Sequence, residues 1–376
     1  MKKIINVGIV GTRFMAKAHS NAYLQVSRFF NLPVTPVLHT ACGRNPEHLK
    51  GLVDQFGWKK GVYSFQELIE DDEIDLIDIC TPNDLHMSIA VGAARAGKHI
   101  LCEKPMARHL KEAEAMYLAV NETGVINMIV SNYRFIPAIV LAKKMIDEGK
   151  IGTIRHFNAV YFQDWLVDPD FPFVWRNDVV ISGSGAHGDM NAHTVDLARY
   201  LVGEFESVNG FQETFIKNRS LPNGQGVAAV SADDATLFFS RFQNGALGSF
   251  MVSRVATGKK NFFRLEIFGS KGSLAFNLER LNELEYFSLQ DDPQSQGNKN
   301  IIVTDPAHPY MDVWWPPGHV LGWEHAFIHQ VKELMEGIAA NKPVSPDFLD
   351  GLKCQQVLDA VVLSAKTGSW IKIQTT

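Results

Sequence analysis

The chain has 376 residues, 46% of them hydrophobic, and a formal net charge of -5. That length buries a large core and suits two domains better than one or three. The mild negative charge, with no Lys/Arg run, argues against a nucleic-acid partner, and no apolar run reaches the roughly 18 residues a membrane span needs.

The opening MKKIINVGIVG sets two lysines before an apolar stretch, as a signal peptide would, but the stretch ends at Arg13 without an A-x-A cleavage site. Ile4 to Val10 are therefore read as a first strand, Gly11 as a tight turn, and Phe14 to Val26 as a helix whose N-terminal amides would receive a pyrophosphate. The pattern G-x-G-x-x-G would put glycine at 11, 13 and 16; the chain has Gly11, Arg13 and Ala16. Alanine still lets helix and strand pack closely. Arginine leaves two readings: a cofactor site that has been lost, or a guanidinium laid beside the cofactor.

Short apolar strands then alternate with amphipathic helices to about residue 130, which predicts a parallel sheet with helices on both faces. VLHTACG is a strand, NPEHLKGLVDQFG opens a helix, and IDLIDIC is a strand followed by TPNDLHMSIAVGAARAG as loop and helix. KHILCE, HLKEAEAMYLAVNETG and VINMIV continue as strand, helix and strand. Ligands of such sheets bind at the C-terminal strand ends, so Thr81, Pro82 and Asn83 of TPN, with Glu103 and Lys104 of EKP, fall where a cofactor would lie. The second strand ends in ACGRN, which has no Asp or Glu to grip a ribose 2′-hydroxyl; Gly43 and Arg44 would tolerate a 2′-phosphate, and Arg44 would equally stack on adenine.

Beyond SNYRFIPAIVLAKKMIDEGKIG the pattern turns to longer alternating runs: IRHFNAVYFQDW, ESVNGFQETFI, DATLFFSRF, ALGSFMVSRVA, FRLEIFGS and SLAFNL. They predict a mostly antiparallel open sheet. A helix starting near Asp189 interrupts them, and helices near Gly322 to Ala340 and Phe348 to Ser364 follow. QDDPQSQGNKN is read as an exposed loop. The fold class is thus α/β: a doubly wound Rossmann domain over 1–132, then an α/β domain over 133–376 on an open sheet.

Lys104 would project above the sheet from the end of a strand. An ammonium there can hydrogen-bond a substrate hydroxyl and stabilise the alkoxide that develops as hydride leaves; on its own it reads as well as a solvated lysine. Asp189 and His193 stand four apart, which puts them on one helix face. Imidazole can take a hydroxyl proton near neutral pH, and the carboxylate can bind a neighbouring hydroxyl or raise the basicity of the imidazole. A capping Asp with a buried, satisfied His is the plainer alternative. His187 joins them in HGDMNAH, but the spacing is not a zinc pattern, and His325 and His329 of WEHAFIH lack the order H-E-x-x-H, so no metal is expected. Cys42, Cys80, Cys102 and Cys354 show no C-x-x-C spacing and read as buried free thiols in a reducing cytoplasm.

GTRFMAKAH, DICTPNDLH, GKHILCEKPMA, SNYR and SGSGAHGDMNAHTVDLARYLVGE, in that order, resemble the Gfo/Idh/MocA family of nicotinamide-dependent sugar and inositol oxidoreductases over essentially the full length. KAHSNAY, QDW, SGSGAHGD, DLARYLVGEF and WWPPGH look like its branch containing levoglucosan dehydrogenase and enzymes that oxidise glucosides at carbon 3. The resemblance implies NAD as cofactor, with NADP as the alternative, held by Gly11, Thr12, Arg13, Phe14, Met15, Arg44, Thr81, Pro82, Asn83, His86, Glu103, Lys104 and Asn132. It implies Lys104, Asp189 and His193 as the catalytic set and a cis peptide bond before Pro105. It also implies a sugar site at Gln163, Trp165, Trp175, Arg176, Asp189 and His193, where flat indole faces and hydrogen-bonding side chains suit a pyranose. A cytoplasmic homo-oligomer, dimer or tetramer, is expected. Inositol dehydrogenase is the alternative within the enzyme class; a binding protein that lost hydride chemistry through Arg13 is the alternative outside it.

Overall fold

A computed structural model describes residues 2–222 and 224–374. The chain divides into two compact units, Met1–Phe135 with Trp323–Leu352, and Ile136–Gly322 with Lys353–Thr376.

The first unit alternates strand and helix: β1 (Lys3–Val10), α1 (Phe14–Phe29), β2 (Val34–Cys42), α2 (Pro46–Phe56), β3 (Lys60–Val62), α3 (Phe65–Glu70), β4 (Leu76–Ile79), α4 (His86–Arg95), β5 (His99–Cys102), α5 (Leu110–Thr123) and β6 (Asn127–Ile129). The sheet runs β3-β2-β1-β4-β5-β6 with every pair parallel. All four β4 residues are buried, as a strand covered on both faces must be. β3 and α3 were not expected from the sequence. Their signal is local: Ser64 and Glu67 form a capping box around the first turn of α3.

The strand order reverses between β1 and β4, and there the backbones of the two strand ends approach closely. Gly11 has φ +127°, and a Cβ on it would lie 2.5 Å from the Cys80 carbonyl oxygen. Only glycine permits both the dihedral and the approach. Its N–H donates to the Cys42 oxygen at 2.9 Å, so the ends of β1, β2 and β4 are fastened around one residue.

Residues 323–352 fall within the stretch 133–376 that the sequence pattern suggested as one domain, yet they pack in the first unit. The helix His325–Ala340 lays Phe327 beside His19, ring centroids 5.5 Å apart, while Gln330 Nε2 donates to the Ile129 oxygen at 2.7 Å. Ile129 N–H donates to the Pro346 oxygen at 2.9 Å, and Phe348 N–H to Asn127 Oδ1 at 2.8 Å. An apolar stripe predicts a helix but does not say which sheet will cover it.

The second unit is built on nine strands, in spatial order Lys299–Ile302, Glu283–Ser288, Gly272–Asn277, Phe262–Gly269, Ile154–Phe162, Leu247–Ser253, Ala235–Phe242, Phe205–Glu213 and Ile371–Lys372. Only Ile154–Phe162 with Leu247–Ser253 is parallel. From Thr236 onward strand Ala235–Phe242 alternates, Phe238, Ser240 and Phe242 in and Leu237, Phe239 and Arg241 out. Inward, Phe238 stacks on Phe250 at 4.2 Å, and Phe157 and Phe205 complete an aromatic core. The expected loop of residues 290–300 is mostly exposed, although its last two residues already belong to strand Lys299–Ile302.

Candidate functional site

In the first unit the expected cofactor residues gather at the C-terminal ends of β1, β2, β4, β5 and β6. Arg13 precedes α1 in extended backbone and is exposed, as is Arg44. Phe14 opens α1 and stacks on Trp323, ring centroids 5.4 Å apart and 15° from parallel. Thr12 and Met15 flank them, half-buried. Thr81 Oγ1 and Asn132 Nδ2 are buried and meet no hydrogen-bond partner among the described residues. Buried polar atoms of that kind need a partner, and a dinucleotide, rich in hydroxyls and carbonyls, suits them. The residues present therefore fit the cofactor.

Three members of the set have work inside the chain. Asn83 is buried in the turn after Pro82. His86 is wholly buried, with Nδ1 at 3.1 Å from the Pro105 oxygen and Nε2 at 3.1 Å from the Thr81 oxygen. Burial holds its pKa below the ordinary value, so the ring is neutral and donates to one of these carbonyls while packing between the TPN loop and the EKP turn. Glu103 is buried, and its Oε2 accepts the Lys104 N–H at 3.1 Å. The Lys104–Pro105 bond is cis, as the resemblance implied, and Lys104 is half-buried.

Behind Glu103 lies a group the sequence reading passed over. His19, within KAHSNAY, points Nδ1 at both Asp78 carboxylate oxygens, each at 3.0 Å, and Nε2 at Glu103 Oε1, at 3.1 Å. Both ring nitrogens face carboxylates, so both carry protons. Burial opposes that charge, but Asp78 foremost, with Cys80 at 3.3 Å, outweighs it and holds the imidazole well above its ordinary pKa.

In the second unit Asp189 lies in a π-helical turn, His187–Asn191, and His193 follows in the helix Ala192–Leu201. The single helix expected to start near Asp189 is thus wound more loosely at its start. Asp233 anchors this start: its carboxylate accepts N–H bonds from Gly185 at 2.6 Å and His187 at 2.8 Å, groups with no intrahelical partner. A Cβ on Gly185 would meet the Asp233 main-chain oxygen at 1.8 Å. His187 donates from Nε2 to the Leu358 oxygen at 2.9 Å and accepts from the Asn191 amide at Nδ1, at 3.0 Å, so it supports the turn from inside.

Asp189 Oδ2 accepts from Arg254 at 3.0 Å, and the Arg176 Nε is 3.9 Å away. The Arg176 guanidinium lies over the Trp175 ring at 4.3 Å, and that of Arg254 over Trp165 at 5.7 Å. A chain of hydrogen bonds runs from Trp165 Nε1 to Gln163 at 3.0 Å, and from Gln163 to Asn261 at 2.8 Å; the Tyr161 hydroxyl donates to the same Asn261 oxygen at 2.8 Å. The Tyr161 ring stands beside His193, centroids 6.0 Å apart. Arg219, buried, donates to the carbonyls of Leu166, Asp168 and Phe171 and shapes the loop carrying Trp165. The unit thus brings all six expected sugar residues into one network and adds Tyr161, Asn261, Arg219 and Arg254, which no motif had marked. Arg254, in VSRVA, left only one hint in the sequence: a cation at the end of an otherwise apolar strand.

Residues 5–131 match the family described as "Oxidoreductase family, NAD-binding Rossmann fold", and residues 139–275 match "GFO/IDH/MocA C-terminal domain". The chain belongs to the Gfo/Idh/MocA oxidoreductase family. Among its relatives, levoglucosan dehydrogenase of Pseudarthrobacter phenanthrenivorans is 41% identical, with 98% of each chain covered. A solved structure of levoglucosan dehydrogenase in complex with NADH and levoglucosan superposes with TM-score 0.97 over all of both chains, at 41% identity. An oxidoreductase domain protein from Kribbella flavida reaches TM-score 0.96 at 45% identity, again over all of both chains. This Gfo/Idh/MocA protein is therefore an NAD-binding oxidoreductase by family. Among the described residues no helix is long and apolar enough to cross a membrane.

The histidines set a pH dependence. His19 is held protonated, so its contribution to stability is complete below the unfolded value, about 6.5, and is lost as pH rises through the raised folded value. His86, His187 and His329 are held neutral by burial, the last pushed down to about 3, so their contribution is lost as pH falls below about 6.5. The expected Tm is highest near pH 6.5 and declines on both sides. His19→Gln should lessen the decline that begins just above pH 6.5, while the decline at higher pH set by the buried Cys42, Cys80, Cys102 and Tyr23 remains. A wild-type Tm that climbs from neutral to alkaline pH in scanning calorimetry would contradict the assignment.

Proposed function

We propose that this protein oxidises a secondary sugar hydroxyl, at carbon 3 of a glucoside or anhydro-glucose, to the keto-sugar. The observation that carries this reading is the full-length likeness to levoglucosan dehydrogenase. The second-unit network supports it, since Trp165 and Trp175 offer indole surface beside Gln163, Arg176 and Asp189, the mixture a pyranose needs. NAD, when bound, supplies the hydride acceptor. Lys104 donates a hydrogen bond to the reacting hydroxyl and stabilises the alkoxide. His193 takes the hydroxyl proton. Asp189, held by Arg254 and Arg176, accepts from a neighbouring sugar hydroxyl. The protein works in the cytoplasm, where its four free thiols stay reduced.

Product NMR after turnover with levoglucosan or a glucoside should show the ketone at carbon 3, with absorbance growing near 340 nm as NADH forms. Lys104→Ala and His193→Ala should each lower kcat by about a hundredfold or more while NAD still binds. Oxidation at carbon 1, turnover of inositols alone, or near wild-type kcat in either variant refutes the reading.

Arg13 is proposed as a cofactor-retaining contact. Its exposed side chain begins at the turn that presents the α1 amides, so its stem need not fill the phosphate position, and its guanidinium is free to add a charge-assisted hydrogen bond. Arg13→Gly should leave kcat for the chemical step intact and speed NADH release in stopped-flow fluorescence. Wild-type protein that binds no NAD in calorimetry, while Arg13→Gly gains it, would overturn the whole assignment.

Assembly into a homo-oligomer is proposed through the outer face of the second-unit sheet. Phe211, Leu237 and Met251 are exposed and adjacent by strand register, and Phe239, 59% exposed, stands in the next row. Apolar surface of that extent calls for a cover. Phe239→Lys should shift the sedimentation coefficient toward the monomer; a wild-type monomer at micromolar concentration would remove the proposal.

A further inference from the structure

We propose that His19, Asp78 and Glu103 form a buried strut that fixes the main chain at Lys104, so that all three are positioning residues for the reaction. The inference rests on the reading of Lys104 as the group that polarises the substrate hydroxyl.

The strut is continuous. Asp78 sits in β4 between Ile77 and Ile79, where a parallel strand covered on both faces calls for an apolar side chain. Its carboxylate takes His19 Nδ1–H at 3.0 Å, His19 Nε2–H reaches Glu103 Oε1 at 3.1 Å, and Glu103 Oε2 takes the Lys104 N–H at 3.1 Å. The following residue, Pro105, has no N–H, so the Lys104 amide is the last main-chain donor before the turn. One side chain therefore grips the catalytic lysine by its backbone, and the imidazolium grips that side chain in turn. His19 also lies on α1, whose first turn carries Arg13 and Phe14, and so ties the cofactor end of that helix to β4 and β5.

Stability alone gives little reason for this arrangement. His19, Asp78 and Glu103 are all buried, and replacing buried ion sets by apolar groups of similar volume is often neutral or stabilising. What an apolar set would not supply is direction: charge-assisted bonds at both ends of a flat ring hold the two carboxylates at a set spacing and plane. Orientation matters at Lys104, because an ångström of misplacement costs a reacting geometry about a hundredfold in rate. The other groups facing the ring do not compete for that role. The Cys80 thiol, whose pKa burial pushes up, donates to Asp78 Oδ1 at 3.4 Å, and Phe327 covers the ring at 5.5 Å.

The test is a double-mutant cycle on kcat at saturating NAD and sugar, using the full-length protein. Glu103→Ala and His19→Ala should each lower kcat about tenfold or more, and neither should lower it further in a Lys104→Ala background, because the strut acts through that lysine. Glu103→Gln keeps an acceptor oxygen for the Lys104 N–H and should recover most of the loss of Glu103→Ala; it serves also should His19→Ala not fold. A strut that only stabilises would lower Tm in all three variants and leave kcat of the folded protein within about twofold. That result, or losses that multiply in the Lys104→Ala background, overturns the inference and leaves the proposed function standing. Lys104→Ala with undiminished kcat would instead sink the proposed function, and this inference with it.

Discussion

The first unit depends on one steric constraint, the approach of β1 to β4 at Gly11. A Cβ there would sit 2.5 Å from the Cys80 oxygen, and the backbone has φ +127°. Because the strand order reverses at this point, the turn after β1 and the loop after β4 diverge, each carrying its own set of residues. Arg13 and Phe14 leave on one side, Thr81 to Asn83 on the other. Arg13 is tolerated in the second fingerprint position because Gly11 alone makes the tight approach; the residue two places on is already exposed. The fingerprint is thus two separable demands, and this chain keeps the one that the backbone enforces.

The second unit is organised around buried polar side chains. Asp233 gathers the N–H groups of Gly185 and His187 at the start of the π turn. Arg219 gathers three carbonyls of the loop after strand Ile154–Phe162, and Arg254 reaches Asp189. Each satisfies main-chain or carboxylate groups that could not otherwise be buried. The sugar-facing candidates are consequently held by residues far from them in sequence, with separations such as 65 between Asp189 and Arg254.

These separations explain what was legible beforehand. The strands of the first unit showed as apolar runs because both faces of the sheet are covered, and TPN and EKP could be placed because parallel sheets bind ligands at strand ends. The antiparallel sheet showed as alternation, as in Ala235–Phe242. Nothing local marked Asn261, Arg219 or Asp233, whose importance lies in what distant chain they meet. His19 lies in KAHSNAY on α1, where nothing local distinguishes a residue bridging two carboxylates from any other residue of a buried helix face. The packing of His325–Ala340 in the first unit was equally hidden, since its apolar stripe would suit either sheet.

A buried ion set and a buried apolar cluster make different use of the same volume. The aromatic core of Phe157, Phe205, Phe238 and Phe250 is held by non-directional burial and ring contacts, which volume-conserving changes largely preserve. The Asp78–His19–Glu103 set is far more directional, because each ring nitrogen faces its own carboxylate and the ring is flat. Placing the apolar cluster beneath the open sheet and the charged set beneath the EKP turn matches the need of each place. The sheet requires bulk and adhesion, whereas the turn, on the proposed function, requires Lys104 to be held in a fixed direction. It follows that variation of the aromatic core should be felt mainly as stability, and variation of the charged set mainly as geometry at Lys104.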